Sequence, residues 1–293
     1  MKLSVTSLHL GLGAALLAVV LLALPLTSKA QSADSPRLLT LGGSVTEIVV
    51  ALGAGDLLIA RDSTSTYPPE VEALPDVGYV RALSPEGVLS VAPDLILSEK
   101  GAGPAETIAV LEAAGVEFVT MPDDPTPQGV LDKIDAVAQA LRLHEQGAAL
   151  RAEVADGLEA AQARADAVSE RKRVLFVLSL QSGRVMAGGA SSSAEGIIEL
   201  AGGVNAAAGF DGYKQMTDEA VIAAAPDMIL MMDREGDLSI SDADVMAHPA
   251  LGLTPAAESG NILRMNGMLL LGFGPRTPAA ATALHDALYA AEG

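Results

Sequence analysis

The sequence predicts an α/β protein of two Rossmann-like lobes with central parallel sheets, joined by a single long α-helix and enclosing a ligand cleft between lobes. Three observations predict it. First, LSPEGVLSVAPDLIL (residues 83–97) and MTDEAVIAAAPDMIL (residues 216–230), 133 positions apart, share Glu86/Glu219, Val88/Val221, Ala92/Ala225, Pro93/Pro226 and Asp94/Asp227. Each copy reads as a capped helix, a Pro-Asp turn and a short buried strand. A unit repeated once at this distance indicates two lobes, whereas a solenoid needs at least three copies at a shorter period. Second, short apolar strands alternate with helices, the signature of βαβ units and a parallel sheet. Third, a long helical stretch separates the two copies. Two lobes imply a cleft, a favoured place for a ligand.

The elements follow in order. Residues 1–30 read as a signal peptide: Lys2 is the positive start, residues 10–26 are an apolar run, and Ser28-Lys29-Ala30 is a small-x-small cleavage site. An uncleaved anchor is the rival, since 17 apolar residues reach the lower edge of a spanning helix. The small residues at the cleavage position and the polar QSADS that follows favour cleavage near Ala30. Residues 31–126 form the first lobe, with a strand over 37–41, a Gly-Gly turn, a helix over 44–52, a second strand over 57–60 and a buried strand over 115–119 that Pro122 closes. Residues 127–171 form the linking helix. Val130, Ile134, Val137, Leu141, Ala148, Val154 and Leu158 recur at helical spacings, predicting one rigid strut of roughly 40 residues, about 60 Å long. The second lobe, 172–293, restarts with VLFVLSL and repeats the first: Glu195 aligns with Glu47 and Tyr213 with Tyr67.

Composition excludes several functions. The formal charge is −19, and removing Lys2 and Lys29 with the leader makes it −21; such a surface repels nucleic acid and anionic membranes. There is no cysteine, so disulfides, thiolate metal sites, nucleophilic Cys and the lipid-bearing Cys of a lipoprotein are all excluded. An exported, cysteine-free chain without an anchor is most simply a free periplasmic protein. Trp is absent and aromatics total 3%, which argues against a sugar-stacking cleft. No G-x-S-x-G, H-E-x-x-H or P-loop pattern occurs in the chain beyond the leader. His144, His248 and His285 are too scattered for a zinc site and read as structural or solvated.

The paired E-x-V-x-x-x-x-PD-x-I-L elements and the single linker resemble the periplasmic binding proteins that serve ABC importers of vitamin B12, siderophores and haem. Within that class DSTSTYPPE (residues 62–70), GYVRALSPEGVLS (78–90) and LGFGPRTP (271–278) are similar to the haem-specific branch. The resemblance covers essentially the whole chain after the leader. It implies a protein that binds haem reversibly and hands it to an ABC permease dimer, with no catalysis, no nucleic-acid partner and no membrane insertion once the leader is removed. A cobalamin or ferric-siderophore binder is the alternative within the class, which the missing Trp and the Tyr-Pro-Pro loop disfavour. From another class, a two-lobed α/β metal-cluster enzyme subunit is opposed by the absence of cysteine and by the export signal.

Tyr67 is the candidate axial ligand of ferric haem. Pro68 and Pro69 hold its phenol on a stiff loop, a phenolate is a hard donor suited to iron(III), and a neighbouring arginine favours the deprotonated form. The plain alternative is a half-buried tyrosine packing on its own lobe. Arg234, Arg81 and Arg276 are candidates to pair with Tyr67 or to grip a haem propionate bidentately, or else to form surface ion pairs. Arg234 comes first because strand ends of open α/β sheets face ligands. Some relatives add a histidine from the second lobe; none is placed for that here, leaving Tyr213 and Met186 as cleft candidates, or an open sixth position. Glu86 and Glu219 stand in first helical turns behind the expected caps Ser84 and Thr217. The helix dipole accounts for an acid there, but not for the same acid in both lobes, and the resemblance implies docking of the permease.

Overall fold

Both sheets are built from strands whose successive side chains feed two different cores. The computed structural model describes residues 36–181, 183–234 and 239–289; the expected signal segment lies outside them. The first lobe comprises β1 (Leu38–Leu41), α1 (Gly43–Ala51), β2 (Leu58–Arg61), α2 (Pro85–Ser90), β3 (Leu95–Glu99), α3 (Ala105–Ala113) and β4 (Glu117–Met121). Its four strands run parallel in the order β2-β1-β3-β4. Leu38 and Leu97 enter one core while Leu39, Leu41 and Ile96 enter another on the opposite face, as in a parallel sheet covered on both sides. The strand expected to be buried over 115–119 is instead the edge strand β4, in which only Met121 is buried. No described strand covers its outer side.

The repeated Pro-Asp turn is explained by one arginine in each lobe. Asp94 accepts the backbone N–H of Arg37 at 2.9 Å, and the Arg37 guanidinium donates to the carbonyls of Val91 and Ala92 beyond α2. In the second lobe Asp227 accepts the N–H of Arg173 at 2.7 Å and Arg173 donates to the Ala224 carbonyl. Ala92 and Ala225 both take left-handed φ, 46° and 40°. That conformation costs an alanine about 1 kcal/mol, and the arginine contacts offset it by satisfying the freed carbonyls.

The linking region departs from the expected single helix. Residues 127–166 form α4 (Pro127–Ala140) and α5 (His144–Asp166), broken where Arg142 turns left-handed at φ 57°. Packing makes the break. Gly147 of α5 lies so close to α4 that an added Cβ would sit 2.4 Å from the Ala138 methyl, Asp135 bridges Arg151 at 2.9 Å, and Leu141 and Leu143 pack on the core. α4 thus lies on α1 and β4 of the first lobe, while α5, about 34 Å long at 1.5 Å per residue, carries the chain to the second.

There β5 (Arg173–Gln181), β6 (Arg184–Gly188), α6 (Ser193–Leu200), β7 (Val204–Asn205), β8 (Tyr213–Gln215), α7 (Asp218–Ala224), β9 (Met228–Asp233), α8 (Asp242–Ala247), α9 (Pro255–Glu258), β10 (Ile262–Asn266), α10 (Gly267–Leu271) and α11 (Thr277–Tyr289) follow. The sheet order is β10-β9-β5-β6-β8, with β7 also on β5. It is not wholly parallel: β6 pairs antiparallel with β8 and also with β5, where residues 182–183 are too few to cross back over the sheet.

One core runs through the whole lobe pair: Val45 and Ile48 of α1, Val130 and Ile134 of α4, Leu158 of α5, Ile197 of α6 and Leu284 of α11 belong to it. At its edge Lys133 is fully buried, and its ammonium donates to Ser44 Oγ at 3.0 Å, Asp123 Oδ1 at 2.7 Å and the Gly272 carbonyl of the second lobe at 3.3 Å. These bonds oppose relative motion of the lobes. Small-angle scattering of the protein without and with ligand should therefore nearly superimpose, and a large fall in radius of gyration on loading would contradict it. Lys133→Ala should cost about 3–5 kcal/mol by urea unfolding, as when a buried pair loses one partner.

Candidate functional site

The loop that carries Tyr67 is fixed from beneath by Asp62. This fully buried carboxylate accepts Gly42 N–H at 3.0 Å and Ser65 Oγ at 2.6 Å through one oxygen, and Thr64 N–H at 3.0 Å and Thr64 Oγ1 at 2.6 Å through the other. Gly42 precedes α1, so the loop is docked on the exposed donors of that helix start. Ser65 continues the chain of bonds to Thr46 (2.6 Å) and Thr40 (2.7 Å) inside the lobe. Tyr67 emerges from this base 42% exposed.

Above it lies Arg276, whose guanidinium carbon is 3.6 Å from the Tyr67 ring centroid, in cation–π contact. Arg276 belongs to the second lobe and is gripped across the junction by Glu47 of α1, with Nε–Oε2 at 2.9 Å and Nη2–Oε1 at 2.5 Å. Glu47 is only 6% exposed, so this bidentate pair is shielded and geometrically fixed. The arginine beside Tyr67 is therefore Arg276, not Arg234.

Between the lobes lies a cleft of about 600 Å³, within the range of small-molecule sites. Thr64, Thr66, Tyr79, Arg81, Glu99 and Asp123 line it from the first lobe; Leu178, Tyr213, Met232, Arg234, Met268 and Leu271 line it from the second. The structure thus brings Arg81, Arg234 and Tyr213 into the cleft, with the Tyr67–Arg276 pair beside it next to Thr66. Met186, on β6 opposite Gln215, is half-buried and outside this lining. Glu86 and Glu219 are exposed in the first turns of α2 and α7, behind Ser84 and Thr217, whose hydroxyls accept from Gly87 N–H at 3.0 Å and Ala220 N–H at 3.2 Å. Hydrogen bonds from its own backbone and from Thr217 hold the Glu219 carboxyl below its ordinary value.

Tyr213 differs from Tyr67. Its ring meets Phe176 edge-on at 6.3 Å, and burial pushes its phenol up against the opposing pull of hydrogen bonds with Ser193, Ala194 and Ser192, which suits a cleft wall better than an anionic ligand. His248 is buried and bonded to the Gly183 carbonyl, His285 faces the Ala201 carbonyl, and His144 is exposed at the start of α5. Glu99 carries no sequence motif of its own. It ends β3, and burial first, then the charges of Asp123 and Asp62, push its carboxyl from 4.5 to about 7, against Lys133 and Arg81. The repeat itself held the signal: the 133-residue offset maps Glu99 onto Met232, and both line the cleft.

Residues 38–267 match the profile of the periplasmic binding protein family. The chain belongs to that family. Among solved structures, this periplasmic binding protein is similar to the periplasmic haem-binding protein RhuT from Roseiflexus sp. RS-1 in apo form, at 37% identity and TM-score 0.82 over 87% of this chain and all of that one. It is also similar to the periplasmic haem-binding protein BhuT in complex with two haems, at 39% identity and TM-score 0.81 over 86% and 97%. Among curated proteins it is 28% identical over 203 residues to an uncharacterised ABC transporter substrate-binding lipoprotein, YvrC of Bacillus subtilis strain 168. It is 36% identical over 123 residues to a vitamin B12-binding protein of Yersinia pseudotuberculosis. The matched regions span 64% and 42% of those two relatives. No helix among the described residues is long and apolar enough to cross a membrane.

Glu99 gives this periplasmic binding protein a signature in its pH dependence. A carboxyl raised to about 7 keeps its proton in the folded state where the unfolded chain has released it. Its contribution to stability is therefore full below pH 4.5 and is lost as pH rises to 7. Glu99→Gln removes that loss. The variant should match the wild type in urea unfolding at pH 4.5 and exceed it by on the order of 3 kcal/mol at pH 8; a difference equal at both pH values would contradict the assignment.

Proposed function

We propose that this protein binds haem in the cleft between its lobes, with Tyr67 as the axial ligand of the ferric iron, and delivers it to the permease of an ABC importer. The observation that carries the reading is the Tyr67–Arg276 pair: a half-exposed phenol on a loop braced by Asp62, with a fixed guanidinium 3.6 Å from its ring. Iron(III) favours a hard oxygen donor, and Arg276 supplies positive charge over the ring that bears that oxygen. Leu178, Met232, Met268 and Leu271 offer apolar contact to a porphyrin, and Arg81 and Arg234, which line the same cleft, would pair with its propionates. The likeness to RhuT and BhuT supports the same reading. A cobalamin reading draws on the likeness to a vitamin B12-binding protein, but the Tyr67–Arg276 pair has no evident part in it. The protein acts by reversible binding, and export with cleavage near Ala30 would release it into the periplasm.

Adding hemin to the purified protein should give a shifted Soret band and a charge-transfer band of phenolate-bound ferric haem. Tyr67→Ala should abolish the charge-transfer band and weaken hemin binding by about a hundredfold or more, since losing even an outer-shell partner costs 10–100-fold. Arg276→Ala should weaken it by about tenfold. An unchanged spectrum and affinity for Tyr67→Ala would sink the ligand assignment.

Glu86 and Glu219 are the proposed docking points. Each is exposed at the same place in its lobe, matching a two-fold permease with basic pockets. The double variant Glu86→Lys, Glu219→Lys should bind hemin normally yet fail to support uptake into vesicles containing the importer; normal uptake would reduce both residues to helix stabilisers.

A further inference from the structure

We propose that Glu99 contacts the ligand as the neutral acid, donating its carboxyl proton to a carboxylate of the bound porphyrin, so that haem capture is proton-linked; this rests on the haem reading above. Glu99 ends β3 and lines the cleft from the first lobe, across from its repeat partner Met232. Its carboxyl has a made seat. Gly42 takes φ +116°, and a Cβ there would fall 2.4 Å from Oε2 and 2.5 Å from the carboxyl carbon. Only glycine at residue 42 lets the group lie where it does.

The charges around this seat do not neutralise it. From its own lobe Asp62 and Asp123 face Glu99 with like charge, while Lys133 and Arg81 oppose them. Lys133 is committed to Asp123, Ser44 and Gly272, and the Arg81 guanidinium lies over Gly101. Among the described residues no cation stands within ion-pair distance of Glu99. Asp233, Arg234 and Tyr213 face it from the opposite wall of the cleft.

An ionised Glu99 would repel a dicarboxylate entering this space. The neutral acid instead presents a donor, and a carboxylic acid facing a carboxylate makes a short charge-assisted hydrogen bond. With a carboxyl poised near neutrality by burial, the proton is acquired at small cost. Above pH 7 each binding event then takes one proton from solvent. Tyr67 releases its own proton on meeting iron, an effect common to wild type and Glu99 variants, which cancels in their difference.

The test is calorimetry in buffers of different ionisation enthalpy, with hemin and hemin dimethyl ester, on the wild type and Glu99→Gln at pH 6 and pH 8. Gln keeps a donor but cannot titrate. At pH 8 the wild type should take up about one proton more per hemin than Glu99→Gln, and its affinity relative to the variant should fall by up to about tenfold between pH 7 and 8. At pH 6 the difference should shrink, and with the dimethyl ester it should vanish. Equal proton counts with hemin at pH 8 would overturn the proposal. So would an equal excess with the ester, since that would mean burial by the ligand rather than a bond to its carboxylate. Absence of any Soret shift at either pH would overturn the haem reading itself, and this inference with it.

Discussion

A lysine with no contact to water sets the frame of the molecule. Removing an ammonium from solvent costs several kcal/mol unless its donors are matched, and Lys133 has three donors and three partners. Those partners are Ser44 at the start of α1, Asp123 after β4 and the Gly272 carbonyl beyond α10. From Ser44 the order passes through Gly42 to Asp62 and the Tyr67 loop. From Gly272 it passes through three residues to Arg276. The tyrosine and the arginine above it, one from each lobe, are thus both positioned from a single buried point on α4. The Glu47–Arg276 pair closes the circuit from the other side.

The two lobes share a scaffold but not an interior. Arg37–Asp94 and Arg173–Asp227 do the same work in both, and the exposed acids of α2 and α7 match. Toward the cleft the correspondence fails. Glu47 reaches across to Arg276, whereas its counterpart Glu195 turns back to accept the N–H of Ser191 at 2.7 Å. Tyr67 stands beneath a cation, and Tyr213 leans on two serines and a phenylalanine. The outside keeps the pseudo-symmetry that a two-fold partner could use, while the inside offers unlike walls to an asymmetrically substituted ligand.

What was legible in the sequence was local. Caps Ser84 and Thr217, the Pro-Asp corners, the strand–helix alternation and the stiff Tyr-Pro-Pro loop are all decided by neighbours within a few positions. The break at residues 141–143 was not, since Leu-Arg-Leu carries no Gly or Pro and the turn comes from packing against Ala138 and the core. The antiparallel half of the second sheet depends on a tight turn that period alone does not reveal. The choice of Arg276 over Arg234 depends on Glu47, 229 positions away, and the burial of Lys133 on Ser44, 89 positions away. Glu99 was hidden differently: the continuous apolar run Leu95-Ile96-Leu97 identifies its strand, but only the fold shows that the strand ends at a cleft among other acids.

The core that unites the lobes also has a temporal side. Leu38 of β1 and Leu284 and Leu288 of α11 lie in one continuous apolar cluster, so almost the whole length of the chain separates residues that must meet. Contacts this distant in sequence are slow to form because loop closure precedes their reward. A chain emerging amino end first keeps that core open until α11 arrives. The segments already made stay short of a native core, and the thirteen-residue α11, packed on α5, α6 and α10, is the piece that closes it.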